Sequence, residues 1–299
     1  RVDYAAFRRL ITRQIDMGVS ALVIAGTTGE ISTLTADEKH KLITTAIDEN
    51  KNRVPLIFGI GGNNPYEIIA LGKFIKKLKT DATSKVGNTS NNKFIKKLKT
   101  GGSSKTGIPQ KNDTPSKIGL PPKIGVMITS PYYNKGTQDG IYQFFETITN
   151  AVKLPTIVYN IPARTGVNIE PDTLYRISTL RYVAGIKEAS GNISQIGEVV
   201  MKCPNTAVYS GDDTLALPSY AVGCRGIISV ASNIFVAPVK SIYEEYKKGK
   251  NKSALTIFNA QLPFYKSLFV RVNPIPIKHY MAKEKLIKNE LRLPLTPME

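Results

Sequence analysis

The nonapeptide VAGIKEASG, residues 183–191, is an apolar run that contains one lysine and ends in small and polar residues. Short apolar runs bounded by glycine are typical of buried strands in a parallel sheet. Lys187 would therefore lie near the end of such a strand. Because burial disfavours a charged amine, a lysine here can act as a neutral nucleophile that condenses with a ketone. The alternative is a lysine that reaches solvent or pairs with Glu188.

Similar apolar runs alternate with helical patterns along the chain. Strands are predicted over residues 21–25, 54–59, 124–129, 156–160, 183–187, 207–210 and 226–230, and helices over residues 35–50, 64–79, 138–152, 171–179 and 193–201. This alternation is typical of an α/β protein whose parallel sheet is covered by helices. Seven such units, with no GxGxxG after any strand, favour a (β/α)8 TIM barrel over a dinucleotide-binding fold.

The two ends of the chain determine the expected domain organisation. The chain opens in a helical pattern whose apolar stripe includes Tyr4, Phe7 and Ile11, so the first of eight strands is expected to be missing or replaced. Residues 1–235 are predicted to form the catalytic barrel. Residues 236–299 are predicted to form its final helix and a C-terminal helical extension.

A basic segment at residues 83–124 interrupts the barrel pattern. It carries nine lysines and one aspartate among Ser, Thr, Gly, Asn and Pro, and it repeats at residues 93–100 the KFIKKLKT of residues 73–80. So little apolar content predicts a flexible insertion. A basic helix that contacts nucleic acid or membrane, and a duplication or uncertain sequence reading, are alternatives. Because the segment follows a helix and precedes a strand, we expect it on the face opposite the active site.

Composition excludes several classes of function. The net charge is +18, of which +8 comes from the basic insertion, so nucleic-acid binding is not expected from the rest of the chain. No apolar run is long enough for a membrane span, and no signal peptide is expected. The two cysteines, Cys203 and Cys224, are predicted to be reduced thiols in a cytoplasmic protein. The two histidines, His40 and His279, lack neighbouring ligands, so neither a metal site nor a histidine triad is expected.

Polar and reactive residues follow the predicted strands. GTTGE follows the first strand, SPYYNK the third and YNIPARTG the fourth, and KEASG, SGDD and SVASN follow later strands. In a barrel these segments converge at the C-terminal ends of the strands, here called the mouth, where barrel enzymes carry their active sites. The sequence therefore predicts one mouth lined by Thr, Tyr, Arg, Lys and small residues.

The order of these motifs resembles the dihydrodipicolinate synthase family, within the class I pyruvate aldolase/lyase superfamily. The resemblance covers nearly the whole chain except residues 83–124, and it is carried by GTTGE, SPYYNKG, YNIPARTG, GIKEASG, SGDD and GIISVASN. It implies a lyase that condenses pyruvate with L-aspartate 4-semialdehyde to 4-hydroxy-tetrahydrodipicolinate, in diaminopimelate and lysine biosynthesis. It implies no cofactor, since the reactive species is a covalent imine between pyruvate and lysine.

The resemblance also implies catalytic roles for individual residues. Lys187 would form the imine with pyruvate, and Tyr159 would shuttle protons as the imine forms and reacts. Thr28 and Tyr133 would complete a hydroxyl relay. In the family the relay tyrosine comes from a neighbouring subunit, so a homodimer or homotetramer is expected.

Four further residues are implied in substrate binding. Thr27, with the backbone around it, would hold the carboxylate of pyruvate, and Arg164 would bind the carboxylate of the semialdehyde. Ile228 would pack beside the imine, and Gly211 belongs to the same substrate-binding set.

Two other functions remain open from the sequence. One is another pyruvate-dependent aldolase, such as N-acetylneuraminate lyase or a keto-deoxy sugar acid aldolase, because these enzymes share the lysine and the tyrosine. The other is an inactive barrel scaffold whose basic insertion binds nucleic acid, with an affinity that falls steeply with salt.

Overall fold

One parallel sheet forms the centre of the protein. The computed structural model describes residues 1–86 and 124–299, with the side chains of residues 79–86 excepted. Within these ranges six strands lie side by side in chain order, and each pairs with the next in parallel. The strands are β1 (Leu22–Ile24), β2 (Leu56–Gly59), β3 (Ile124–Thr129), β4 (Thr156–Asn160), β5 (Val183–Glu188) and β6 (Ala207–Ser210).

Helices follow the strands and cover the sheet. They are α1 (Tyr4–Asp16), α2 (Ala36–Asn50), α3 (Pro65–Val86), α4 (Gln138–Val152), α5 (Pro162–Thr165), α6 (Pro171–Ser178), α7 (Ile193–Lys202), α8 (Ala216–Ala221), α9 (Val236–Lys247), α10 (Asn251–Ser267) and α11 (Ile275–Lys283). Short side chains fix where several of them begin. Thr35 forms a capping box with Glu38 at the start of α2, and Asn192 accepts two backbone N–H groups at the start of α7. None of the described helices is long and apolar enough to cross a bilayer.

The predicted strands agree closely with the structure, with one exception. Six of the seven are strands, and the predicted seventh, residues 226–230, forms only a single parallel bridge between Ile227 and Ser210. The backbone N–H groups of Val230 and Ala231 instead donate to the Asp213 carboxylate, at 2.8 and 3.1 Å. This side-chain competition turns the chain into a short 3-10 helix before a second bridge can form.

The sheet has an open edge between β1 and the segment at residues 226–230. The described strands run from β1 to β6 without a pair that closes the circle. Helix α1 packs below this edge, where Arg13 and Gln14 donate to the backbone carbonyls of residues 232–234. A barrel wall with this opening lets the interior cavity extend down to α1.

The basic insertion lies mostly outside the described residues. Helix α3 continues to Val86 and β3 begins at Ile124, so the segment predicted as insertion over 83–124 is shorter by four residues at its start and one at its end. Both attachment points lie away from the carboxyl ends of the strands, as expected for a segment between a helix and the following strand.

Candidate active site

Lys187 lies at the carboxyl end of β5, next to Tyr159 on β4. The two residues are register partners, so their side chains point to the same side of the sheet. Lys187 is 8% exposed, and its Nζ lies 3.9 Å from the centroid of the Tyr159 ring. No described carboxylate forms an ion pair with it. The amine therefore lies in a cavity with an aromatic hydroxyl residue beside it, and it does not reach solvent at the strand end.

Glu188 points to the other face of the sheet and does not pair with Lys187. Its fully buried carboxylate accepts the Asn160 side-chain amide at 2.9 Å and the Ser190 N–H at 2.7 Å. The Asn160 amide also donates to Asn168, which exchanges hydrogen bonds with Gln195. This buried network ties the carboxyl end of β4 to that of β5, and so it fixes the spacing of Tyr159 and Lys187.

Gly211 leaves room for the Lys187 side chain. A Cβ atom at this position would lie 2.7 Å from Lys187 Cε and 2.8 Å from Ala189 Cβ. Both separations are far inside van der Waals contact. The absence of a side chain at Gly211 therefore determines where the lysine chain runs, a role that the sequence did not reveal.

The GTTGE segment forms a tight turn directly after β1. Residues Thr27–Gly29 make one turn of 3-10 helix, and Glu30 follows in the left-handed region at φ 54°. The backbone N–H groups of Thr27 and Thr28 have no acceptor within the described part of the chain. Two unpaired N–H groups and two hydroxyls thus border the cavity, a set that suits a carboxylate.

Arg164 lies on α5, at the rim of the cavity. Its Nη2 donates to the backbone carbonyl of Asn273 at 2.7 Å, and no carboxylate among the described residues forms an ion pair with it. The guanidinium retains donors that can bind an anionic ligand in a two-pronged fashion. Arg164 borders the same cavity as Lys187, and its role in substrate binding remains a prediction.

The C-terminal helical region reaches the same site, which sequence reasoning missed. Asn273, between α10 and α11, donates from Nδ2 to Thr28 Oγ1 at 3.1 Å. Lys278 on α11 forms an ion pair with Glu30. The sequence signal for this contact is the NPIP stretch of residues 273–276, at the start of α11.

A second contact of the C-terminal region fixes the start of α2. Arg292 donates to both oxygens of Glu38, at 2.7 and 2.5 Å, and its backbone N–H donates to Glu30 at 2.9 Å. The hydrogen bonds from Arg292 and from Thr35 lower the pKa of Glu38 to about 2. The turn that carries Thr27 and Thr28 is therefore held by Lys278 and Arg292, which both contact Glu30 at its end.

Ile228 borders the cavity on the segment after β6, and Asp213 holds that segment in place. The Asp213 carboxylate is buried and accepts the Ser229 hydroxyl at 2.5 Å in addition to its two backbone donors. Burial raises the pKa of Asp213, and the Ser229 and backbone hydrogen bonds oppose this rise. Asp213 thus fixes the backbone beside Ile228.

Tyr133 lies apart from the other predicted site residues. Its side chain is 87% exposed, and its backbone is in the left-handed region at φ 73°. It does not line the cavity, whereas seven other predicted residues do: Thr27, Thr28, Tyr159, Arg164, Lys187, Gly211 and Ile228. The cavity has a volume of about 460 Å³ and continues along the open edge of the sheet to apolar residues of α1.

Comparison with known proteins identifies the family. The model of the dihydrodipicolinate synthetase family matches residues 1–88 and 117–299. The 4-hydroxy-tetrahydrodipicolinate synthase of Alkaliphilus oremlandii is 36% identical over 300 residues, which cover 100% of this chain and 89% of the relative.

Two solved structures are similar over the whole chain. Dihydrodipicolinate synthase from Aquifex aeolicus is 33% identical with a TM-score of 0.82, covering 100% of this chain and 88% of that chain. The enzyme from Acinetobacter baumannii, solved in complex with pyruvate, is 31% identical with a TM-score of 0.82 and the same coverage. This likeness confirms the predicted barrel class. The chain belongs to the dihydrodipicolinate synthetase family.

Proposed function

We propose that this protein condenses pyruvate with L-aspartate 4-semialdehyde to give 4-hydroxy-tetrahydrodipicolinate, a step of diaminopimelate and lysine biosynthesis. The observation that carries the proposal is the buried Lys187, whose Nζ lies 3.9 Å from the Tyr159 ring centroid in a cavity bordered by hydroxyls and one arginine. Family membership supports the same reaction.

Lys187 begins the reaction as a nucleophile. Its neutral amine attacks the ketone carbon of pyruvate, and the resulting carbinolamine loses water to give an imine. Tyr159 supplies the proton that the departing hydroxyl needs. The Tyr159 phenolate then takes a proton from the methyl group, and the electron pair left on that carbon gives an enamine. No cofactor is required, because the imine nitrogen accepts the electron pair that remains when the methyl proton leaves.

The enamine carbon then attacks the aldehyde carbon of the second substrate. The new alkoxide takes a proton from the relay, and the amino group of the semialdehyde displaces Lys187 from the imine carbon. This exchange closes the ring and frees the enzyme. Arg164 holds the carboxylate of the semialdehyde, and the N–H groups of Thr27 and Thr28 hold the carboxylate of pyruvate.

The relay is completed by a second copy of the chain. Tyr133 is 87% exposed and lies outside the cavity of its own chain. A homodimer in which each Tyr133 enters the cavity of the other copy supplies the hydroxyl that links Thr28 and Tyr159 to solvent. A homotetramer built from two such dimers serves equally well.

Subunit mixing tests this arrangement. Tyr133→Phe and Lys187→Ala should each be inactive alone, and mixing them under conditions of subunit exchange should restore activity. In the mixed dimer one site holds both an intact Lys187 and an intact Tyr133 from the other copy. Exchange without any recovery would show that Tyr133 acts within its own chain or not at all.

Choice of substrate separates the proposal from other pyruvate-dependent aldolases. The protein should turn over pyruvate with L-aspartate 4-semialdehyde and should not cleave N-acetylneuraminate. Arg164→Gln should raise the KM for the semialdehyde while the rate of imine formation with pyruvate stays unchanged. Cleavage of N-acetylneuraminate without condensation activity would favour the aldolase alternative.

The two thiols support a cytoplasmic location. Cys203 and Cys224 are both free and buried. We place the enzyme in the cytoplasm, where thiols stay reduced.

A further inference from the structure

We infer that Asn273 is a positioning residue that sets the direction of the Thr28 hydroxyl, and thereby the direction of proton transfer in the relay. This inference rests on the proposed function, because it assigns Thr28 to that relay. It concerns a residue of the C-terminal helical region, outside the strands and loops from which the barrel site was predicted.

The geometry of the Asn273 amide indicates which group donates. Asn273 Nδ2 lies 3.1 Å from Thr28 Oγ1, whereas Asn273 Oδ1 lies 3.5 Å from the same oxygen. Only the shorter distance falls in the ordinary range for an N–H···O hydrogen bond. The amide therefore donates, and the threonine oxygen accepts.

The hydrogen-bonding capacity of the Thr28 hydroxyl fixes the direction of its proton. A threonine hydroxyl has one proton to donate and two lone pairs that accept. When one lone pair accepts the Asn273 amide, the proton of Thr28 points away from Asn273 and towards the rest of the cavity, which Tyr159 also lines. The amide oxygen lies 3.5 Å from Thr28 Oγ1, so it competes only weakly for that proton. A relay that starts from Thr28 is thus oriented before substrate binds.

Asn273 is itself held in place. The residue is 7% exposed, and its backbone carbonyl accepts Arg164 Nη2 at 2.7 Å. Helix α11, which begins two residues later, is anchored by the ion pair of Lys278 with Glu30. Asn273 therefore connects the substrate-binding arginine to the relay threonine with a fixed spacing.

Two substitutions distinguish a positioning role from a packing role. Asn273→Asp keeps the shape but replaces the donor with an acceptor, so the Thr28 proton turns towards the carboxylate and away from the relay. Asn273→Ala leaves the hydroxyl without a fixed direction, so part of the population stays productive. Asn289→Asp is the matched control, because Asn289 also donates its amide to a carbonyl of the C-terminal region, Met298 O at 2.9 Å, but does not line the cavity.

The experiment measures kcat, KM and thermal stability for the wild type and the three variants. Asn273→Asp should lower kcat by about 100-fold, the lower end of what proton-transfer groups contribute, and Asn273→Ala by about tenfold, below that range because part of the population stays productive. Asn273→Ala should nevertheless have the lower Tm, because it removes buried atoms. Asn289→Asp should keep the kcat of the wild type. If Asp costs no more kcat than Ala, or if it raises KM alone, the inference is wrong.

A double-mutant cycle with Thr28→Val gives a second test that does not depend on the aspartate variant. If Asn273 acts through the Thr28 hydroxyl, Asn273→Ala should leave the imine-formation rate of the Thr28→Val enzyme unchanged. Independent effects that multiply would overturn the inference. A wild-type protein that forms no pyruvate adduct at Lys187 would instead overturn the proposed function, and the inference with it.

Discussion

Replacing Gly211 with alanine should displace the Lys187 side chain. The added Cβ would lie 2.7 Å from Lys187 Cε, and ordinary contact begins at 3.4 Å, so the lysine chain or β6 must move by the difference, about 0.7 Å. Ala189, at 2.8 Å from the same Cβ, blocks one direction of relief. Overpacking of this kind costs about 1–3 kcal/mol of stability. A misplacement of about 1 Å at a reacting group can cost about 100-fold in rate.

The assay is the rate at which borohydride traps the pyruvate imine at saturating pyruvate, together with urea unfolding. Gly211→Ala should slow trapping by about 10- to 100-fold. Gly197→Ala is the matched control, because its Cβ would meet Val222 at 3.6 Å, an ordinary contact, and it should trap at the wild-type rate. A Gly211→Ala protein with the wild-type trapping rate would refute the reasoning that this glycine sets the path of the lysine.

Three further predictions concern an ion pair, a buried hydrogen-bond network and the basic insertion. Arg292 holds the pKa of Glu38 near 2, against an ordinary value of 4.5. The ion pair therefore stabilises the folded protein above about pH 4.5, and this stabilisation is lost as the pH falls towards 2. Glu38→Gln should therefore lower Tm at pH 7 and converge with the wild type on acidification, and a Tm gap that is equal at pH 7 and pH 3 would contradict this. Glu188→Gln should lower the free energy of unfolding, measured in urea, by about 1–3 kcal/mol. The reason is that the new amide N–H₂ would face the donors of Asn160 or Ser190. Unchanged stability would show that the network can rearrange. Deletion of residues 89–116, which the family model does not match, should leave kcat and KM unchanged, and a large loss of kcat would place the insertion in the catalytic machinery.

The alternation of apolar runs was sufficient to predict the sheet. Strands with a continuous apolar character, such as β3, β4 and β5, agree with their predicted bounds within a residue. Their burial on both faces produces the pattern that the sequence displays. The convergence of Thr28, Tyr159 and Lys187 followed from the same topology, because the carboxyl ends of parallel strands meet at one face.

Other features depend on contacts that no local pattern encodes. The seventh predicted strand ends after one bridge because the Asp213 carboxylate, distant in sequence, binds its backbone N–H groups. Asn273 reaches Thr28 across 245 positions of the chain, and Gly211 matters because of what lies opposite its missing side chain. The division of the chain at residue 235 and the oligomeric state remain predictions.

The central claim is that Lys187 forms an imine with pyruvate, and reductive trapping tests it most directly. The protein is incubated with pyruvate and borohydride, digested, and mapped by mass spectrometry, with Lys187→Ala as the control. One reduced pyruvyl adduct is expected, on the peptide that contains Lys187, and no adduct is expected in the control. A folded wild-type protein without that adduct, or with the adduct on another lysine, would contradict the account.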